Sequence, residues 1–269
     1  MNIITAFLPE ARSLIDHLGL KKTSSPEDSE TIFKNETHTL LISGMGSQNM
    51  INAINHLVGL SSVSFTPWLN LGIAGHGSAP IGSAHIVAKC FHESDTKSFY
   101  PPQLFSTPFN KTLLKTLKKP SIDYESETAF DMEGYSFFKT ASKFCPIELI
   151  QSVKIISDNP ESPLLEFNKS TVNKLFNPHI PSIIELINQM EIFAARLRPD
   201  SSLEKWFNKI SPHQSFTETQ THQLRKAIRH AHTLEIPLEE IEKVVKNSKD
   251  SRSSMKRINE MLDKKRIFP

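Results

Sequence analysis

The sequence predicts an α/β domain over residues 1–198, a central mixed sheet flanked by helices, extended by a helical region over residues 199–269. Three observations predict it. Short β-prone runs alternate with stretches of helical periodicity as far as Leu197, glycines cluster where apolar runs end, and after Arg198-Pro199-Asp200 the chain turns to polar, amphipathic helices. Alternation of the two periodicities is how a helix-covered sheet reads in sequence, and glycines at strand ends mark where such sheets hold ligands.

Asn2 to Phe7 forms the first strand, and Pro9 opens a helix carrying Leu14, Ile15 and Leu18 before Gly19. Residues 22–30, rich in Ser, Thr, Pro and acids, form a loop, and Thr31–Lys34 with Thr37–Ser43 form a hairpin around Asn35-Glu36. Ser43-Gly44-Met45-Gly46-Ser47 ends that strand and leads into a helix with Met50, Ile51, Ile54 and Leu57 inward. Glycines at such a junction allow positive φ and close approach of backbone to a ligand, although a plain turn accounts for them equally well. Trp68 to Ile73 is apolar except for Asn70, as buried parallel strands are, and Gly72-Ile73-Ala74-Gly75-His76-Gly77 marks its C-terminal mouth. Gly82 precedes a strand over Ala84–Phe91. Residues 94–128 are less regular, with Pro101-Pro102, Pro108 and Pro120 around one helix expected from about Asn110 to Lys118.

Glu133–Phe144 fits a helix packed on the sheet, Leu149–Ile156 the strand that runs to Asp158, and Pro160 the stop, since proline donates nothing to a ladder. Pro181–Leu197 carries an apolar stripe of Ile183, Ile184, Ile187, Met190, Ile192 and Phe193. Four helices follow, over Ser201–Lys209, Thr217–His232, Pro237–Asn247 and Ser251 to about Lys264.

Bulk properties narrow the function. A hydrophobic content of 38% with 22% charged residues describes a soluble globular chain, and a net charge of +2 argues against a polyanionic partner for the whole chain. The basic residues of the last seventy positions, from Arg225 to Arg266, are interleaved with Glu239, Glu240, Glu242, Asp250, Glu260 and Asp263, the pattern of solvated helices packing on a core or subunit rather than on nucleic acid. No apolar run approaches the ~20 residues that span a bilayer, and the first residues lack the basic segment of a signal peptide. Cys90 and Cys145 have no metal-ligand spacing and read as reduced core residues of a cytoplasmic protein. His76 and His92 likewise lack partners for a metal; neither metal nor cofactor is expected.

The chemistry concentrates in Ala129-Phe130-Asp131-Met132-Glu133-Gly134 and in Ile155-Ile156-Ser157-Asp158, where acids stand at the ends of apolar runs. Taken singly, Asp158 reads as a strand-end acid capping its own turn through Asn159, Glu133 and Glu10 as carboxylates in the first turn of helices, and Met132 as core.

Taken together, Met132-Glu133 followed by a small residue at a helix start, a Ser157-Asp158 pair ending the next strand, and the earlier Ser43-Gly44-x-Gly46 segment resemble the nucleoside phosphorylase and nucleosidase superfamily. Within it the sequence is most similar to the bacterial methylthioadenosine/S-adenosylhomocysteine nucleosidases, over roughly residues 1–195. The resemblance implies a three-layer fold around a mixed sheet, a homodimer, and hydrolysis of a purine nucleoside at its N-glycosidic bond without a cofactor. It implies that Asp158 protonates the purine at N7, that Glu133 accepts hydrogen bonds from ribose hydroxyls, that Met132 packs on the sugar, and that Glu10 positions the attacking water. Asp131 stands where relatives often carry a second acid, Lys154 where they carry an arginine, and Ile73 where they carry a serine; Gly46, Gly72, Ala74 and Gly75 complete the binding set. Phosphorylases of this kind bind phosphate with cations, whereas the matching positions here are Asn70 and Ile73, so water is the expected nucleophile. The region from 104 to 128 looks shortened, as though the family's additional strand and base-closing loop were reduced to Pro120–Thr128. That shortening, with Ile73 and Lys154, motivates the alternative of a nucleoside-binding or scaffold protein that keeps the fold without turnover.

Overall fold

A computed structural model of the chain describes residues 1–23, 31–60, 65–119, 125–163, 169–198 and 201–267. Most of the loop expected over 22–30, and Pro120 to Tyr124 of the segment before Ala129, lie outside the described residues. The chain divides into two compact units, Met1–Leu197 and Arg198–Pro269.

The first unit is built on a ten-stranded mixed sheet: β1 (Asn2–Thr5), β2 (Lys21–Lys22), β3 (Thr31–Lys34), β4 (Thr39–Ile42), β5 (Trp68–His76), β6 (Ala84–His92), β7 (Ser98–Phe99), β8 (Asn110–Thr116), β9 (Thr128–Asp131) and β10 (Ile150–Asp158). Its helices are α1 (Leu8–Leu18), α2 (Ser47–Leu60), α3 (Gly134–Ala141), α4 (Lys169–Phe176) and α5 (Ile180–Leu197). Period-two alternation in the buried strands feeds two apolar layers. Ile4, Leu41, Trp68, Ala74 and Ile156 face α2 and α3, whereas Ile3, Leu40, Leu69, Leu71, Val153 and Ile155 face α1, α4 and α5. The result is the expected helix–sheet–helix sandwich.

β5 is the strand that organises the sheet. On one edge it runs parallel with β10 along its length, and β10 continues through antiparallel β6, parallel β8 and parallel β9. On its other edge it pairs in parallel with β1 only from Trp68 to Asn70, then antiparallel with β9 only at Gly75 and His76. The strands β5, β10, β6, β8 and β9 thus close on themselves, while β1, β4, β3 and β2 extend from the N-terminal half of β5. Between the two pairings, Leu71 to Ala74 run past a fork where β1 has left and β9 has not yet joined. A cavity forms at such a fork because backbone groups along one strand edge are left facing inward.

One expected element is of the other kind. Asn110–Thr116 is a strand, not a helix. Thr112, Leu114 and Thr116 are buried while Lys111 and Leu113 are exposed, so the run follows the two-residue period. Leu113, 40% exposed, supplies the apolar neighbour that made the segment read as helical. The sequence reading also passed over α4, whose inward side is Val172 and Phe176 at helical spacing.

The second unit holds α6 (Ser201–Ile210), α7 (Glu218–Thr233), α8 (Leu238–Lys246) and α9 (Ser251–Ile267) around a core of its own, with Phe207, Ile210, Leu224, Ile228, Ile241, Val245 and Ile258 buried. Thr217 caps α7 by accepting from the Gln220 N–H, and Gln220 returns the bond, the reciprocal pair that stabilises a helix start.

Candidate functional site

At the fork lies a cavity of about 240 Å³, its wall formed by the end of β1 (Ala6, Phe7), the β5 segment Asn70–Gly75, the β9 end Phe130–Glu133, and Lys154, Ser157 and Asp158 of β10. The geometry brings together all but one of the sequence-expected residues: Glu10, Gly72, Ile73, Ala74, Gly75, Asp131, Met132, Glu133, Lys154 and Asp158 line one space. Gly46 does not line it; its N–H donates to Glu133 Oε1 at 2.5 Å. With φ +94°, Gly46 adopts a backbone that a side chain would strain, and the strand-to-helix turn uses that freedom to hold a carboxylate.

Glu10 reaches the cavity from the first turn of α1. Its Oε2 accepts the Phe7 N–H at 2.8 Å, and its Oε1 accepts the Ile73 N–H, one of the β5 groups released at the fork, at 3.0 Å. Burial pushes its carboxyl up from 4.5 to about 7 despite those two bonds and the nearby Lys154 ammonium, with the Glu133 charge adding to the rise.

Lys154 and Asp131 form the centre of the charge cluster. Their charged atoms are 2.8 Å apart and their side chains are 2% and 1% exposed. Asp131 also accepts from Thr116 Oγ1 at 2.7 Å and from the Gly134 N–H at 2.8 Å, so both its oxygens are occupied before any ligand arrives. Burial alone would lower the Lys154 pKa, but Asp131, Glu133 and Glu10 more than offset it and leave the ammonium held above its ordinary value. Glu133 is pushed up by burial and by Asp131, against the pull of Lys154 and the Gly46 N–H. Gly72 makes room for the cluster: a Cβ there would lie 3.2 Å from Lys154 Nζ and 3.4 Å from Glu10 Oε1.

Asp158 ends β10 after a bulge. Ile156 pairs with Ala74 and Asp158 with Gly75, leaving Ser157 as the extra residue, the device that re-aims side chains at a sheet's end. Ser157 donates to Asp158 Oδ1 at 2.5 Å and stays within reach of the Ala74 carbonyl. The turn after the strand is held by Asn159, which accepts from the Glu161 and Ser162 N–H groups and donates to the Ala79 carbonyl. Asn159 thus carries turn capping of the kind the sequence allowed for the acid before it.

Phe7, Met45, Leu117, Lys119, Phe130 and Ser157 also line the cavity and were not among the expected site residues. Met45, Phe130 and Ser157 lie inside the quoted motifs, where their neighbours were chosen for charge or backbone freedom. Asn70 is committed elsewhere: its amide donates to the Ile4 carbonyl and its oxygen accepts from Ser152. His76 is buried with Nδ1 accepting the Ser78 and Ala79 N–H groups, a structural role. Cys90 and Cys145 are free and buried. Among the described residues no group of His, Cys, Asp and Glu is arranged to hold a metal, and no helix is long and apolar enough to cross a membrane.

No family model matches the sequence, and no curated protein matches it. Solved structures do. A structure of MTAN from Chlamydia trachomatis bound to MTA is 18% identical with a TM-score of 0.55, covering 70% of this chain and 97% of its own. The 5′-methylthioadenosine/S-adenosylhomocysteine nucleosidase of Campylobacter jejuni is 14% identical with a TM-score of 0.54, covering 70% and 98%. The futalosine hydrolase of Helicobacter pylori strain 26695 is 12% identical with a TM-score of 0.55, covering 70% and 97%. The chain has the fold of these members of the nucleoside phosphorylase and nucleosidase superfamily.

Proposed function

We propose that the protein is a purine nucleosidase that hydrolyses the N-glycosidic bond of a nucleoside such as methylthioadenosine or adenosylhomocysteine. The observation that carries the proposal is the buried Glu10 carboxyl, poised near neutrality in the same mainly apolar cavity as Asp158, Glu133 and Met132. A general base works best with a pKa near the working pH, because it is then both available and basic enough to take a proton.

In this reading the base lies toward Asp158, which delivers a proton to N7 as the C1′–N bond breaks and its electron pair passes to the leaving purine. The ribosyl centre gains positive charge, as in glycoside hydrolysis, and the surrounding carboxylates stabilise it. Glu133 accepts from the ribose hydroxyls and Met132 packs on the ring. Water held by Glu10 adds to C1′ and gives its proton to that carboxylate. Lys154 keeps Asp131 and Glu133 compatible in one small volume and acts as a positioning residue. Its ammonium is taken by Asp131, and Asn70 by Ile4 and Ser152, so neither is free for a phosphate dianion at the positions where phosphorylases bind it, which favours water. The fold neighbours' substrates, and the complex of one of them with MTA, agree with this assignment. The same reading carries a cytoplasmic protein and a homodimer, the latter checked by light scattering of the purified chain.

The test is incubation of the protein with methylthioadenosine, adenosylhomocysteine, adenosine, inosine and futalosine, with and without phosphate, and chromatography of the released base. Phosphate-independent release from at least one compound is expected. Binding without release in a long incubation would support a nucleoside-binding protein instead.

A further inference from the structure

Between β5 and β6 the chain makes a loop, residues 77–83, that is held at each end by a buried histidine. His76, the last residue of β5, accepts the Ser78 and Ala79 N–H groups at Nδ1, at 3.0 and 2.9 Å. His85, on β6, places its ring 5.3 Å from that of His76. Its Nε2 is 3.0 Å from the Ser83 hydroxyl, which donates to the Pro80 carbonyl at 2.6 Å. The single hydroxyl proton of Ser83 goes to Pro80, so His85 donates at Nε2; His76 accepts two N–H groups at Nδ1, so that nitrogen carries no proton. Burial holds both rings below the ordinary imidazole range against the pull of Glu127, which keeps His76 in this neutral form.

The loop is tied in turn to the end of β10. Asn159 donates its side-chain amide to the carbonyl of Ala79, the residue whose N–H His76 holds, at 3.1 Å. The Asn159 oxygen accepts the Glu161 and Ser162 N–H groups at 3.1 and 2.9 Å. Asp158, after the bulge at Ser157, is the last residue of β10 to pair with β5. The direction of its carboxyl is therefore set by a backbone fixed at Gly75 on one side and at Asn159 on the other.

We propose that His76 is a positioning residue for Asp158, acting through the Ala79 backbone and the Asn159 amide. The proposal rests on the nucleosidase reading, in which Asp158 is the acid. His76 does not line the cavity, so it bears on the reaction only through the groups it holds. Proton delivery to N7 belongs to the transition state, so an Asp158 whose support is loosened lowers kcat and leaves KM nearly as it was.

The experiment measures kcat and KM of wild type, His76→Leu, His76→Asn, Asn159→Ala and the His76→Leu/Asn159→Ala double variant on methylthioadenosine, adenosylhomocysteine and futalosine, with circular dichroism to establish folding. Leucine fills the space without an acceptor; asparagine carries its oxygen on Cγ, as histidine carries Nδ1, and commonly accepts from the N–H two residues on. His76→Leu is expected to lower kcat about tenfold with KM within about twofold, and His76→Asn to recover most of the loss. Asn159→Ala should cost about as much, and the double variant no more than the worse single one, since both break one bridge. A KM that rises as far as kcat falls, an asparagine variant that folds without recovery, or losses that multiply would overturn the assignment. Should His76→Leu not fold, His76→Gln, whose acceptor lies one bond further out, takes its place. If wild type releases base from none of the compounds, the nucleosidase reading fails, and hydrogen exchange at the Glu161 and Ser162 N–H groups decides the bridge separately. Faster exchange in His76→Leu than in His76→Asn sustains it; equal exchange overturns it.

Discussion

Glu10→Gln is the perturbation whose outcome follows most closely from the geometry. In the folded protein Glu10 holds its proton up to about pH 7, whereas in the unfolded chain it loses it near 4.5. Across that window the native state binds more protons than the unfolded state, so stability contributed by this group falls as pH rises and then levels above about 7. Each tenfold change in proton affinity is worth about 1.4 kcal/mol, so the fall amounts to about 3 kcal/mol. Glutamine keeps one acceptor for the Phe7 and Ile73 N–H groups but not two, which adds a loss of stability that does not vary with pH. The variant's stability should therefore run flatter against pH than the wild type's, by about 3 kcal/mol between pH 4.5 and 7.5. Urea unfolding at half-unit intervals reads this directly, and titrating groups remote from Glu10 cancel in the difference. Parallel curves for the two proteins would refute the claim that Glu10 is buried with a raised pKa, and with it the argument for a base poised near neutrality.

Other consequences of the cluster are accessible to the same methods. Lys154→Met leaves Asp131 and Glu133 buried without their cation and should lower stability by about 3–5 kcal/mol at pH 7, the deficit shrinking toward lower pH as the Glu133 carboxyl, already raised by burial, takes up its proton; urea melts at pH 7 and pH 5 check it. Gly72→Ala should fold, because the clashing atoms are side-chain ends, yet lower kcat/KM by roughly tenfold or more as its methyl displaces Lys154 and Glu10, which steady-state assays with circular dichroism would show. In the nucleosidase reading kcat/KM should rise with pH through about 7 as Glu10 ionises, and Glu10→Gln should remove that limb along with most of the rate. Because Met1–Leu197 and Arg198–Pro269 have separate cores, a chain ending at Leu197 should still fold cooperatively, as a single urea transition would report.

The parts of this account that were legible in the sequence are those where one local signal dominates. The apolar run Trp68–Ile73 can be little other than a buried strand, and the glycines behind it mark its mouth; the hairpin around Asn35-Glu36 and the helix after Gly46 are equally local. Asn110–Thr116 misled because an exposed Leu113 between buried Thr112 and Leu114 breaks the apparent alternation, and only the parallel pairing with β6 and β9 reveals the strand. The acids of the site could be named from motifs, but their relations could not. That Lys154 binds Asp131 and that Glu10 spans two backbone donors 66 positions apart both depend on where β5 changes neighbours.

The most direct test of the nucleosidase assignment is the rate of base release by Asp158→Asn beside its affinity for the same nucleoside. Loss of the proton donor with the pocket intact should lower release by about a hundredfold or more while calorimetric binding stays near wild type. Release at the wild-type rate from a correctly folded Asp158→Asn protein would contradict the account.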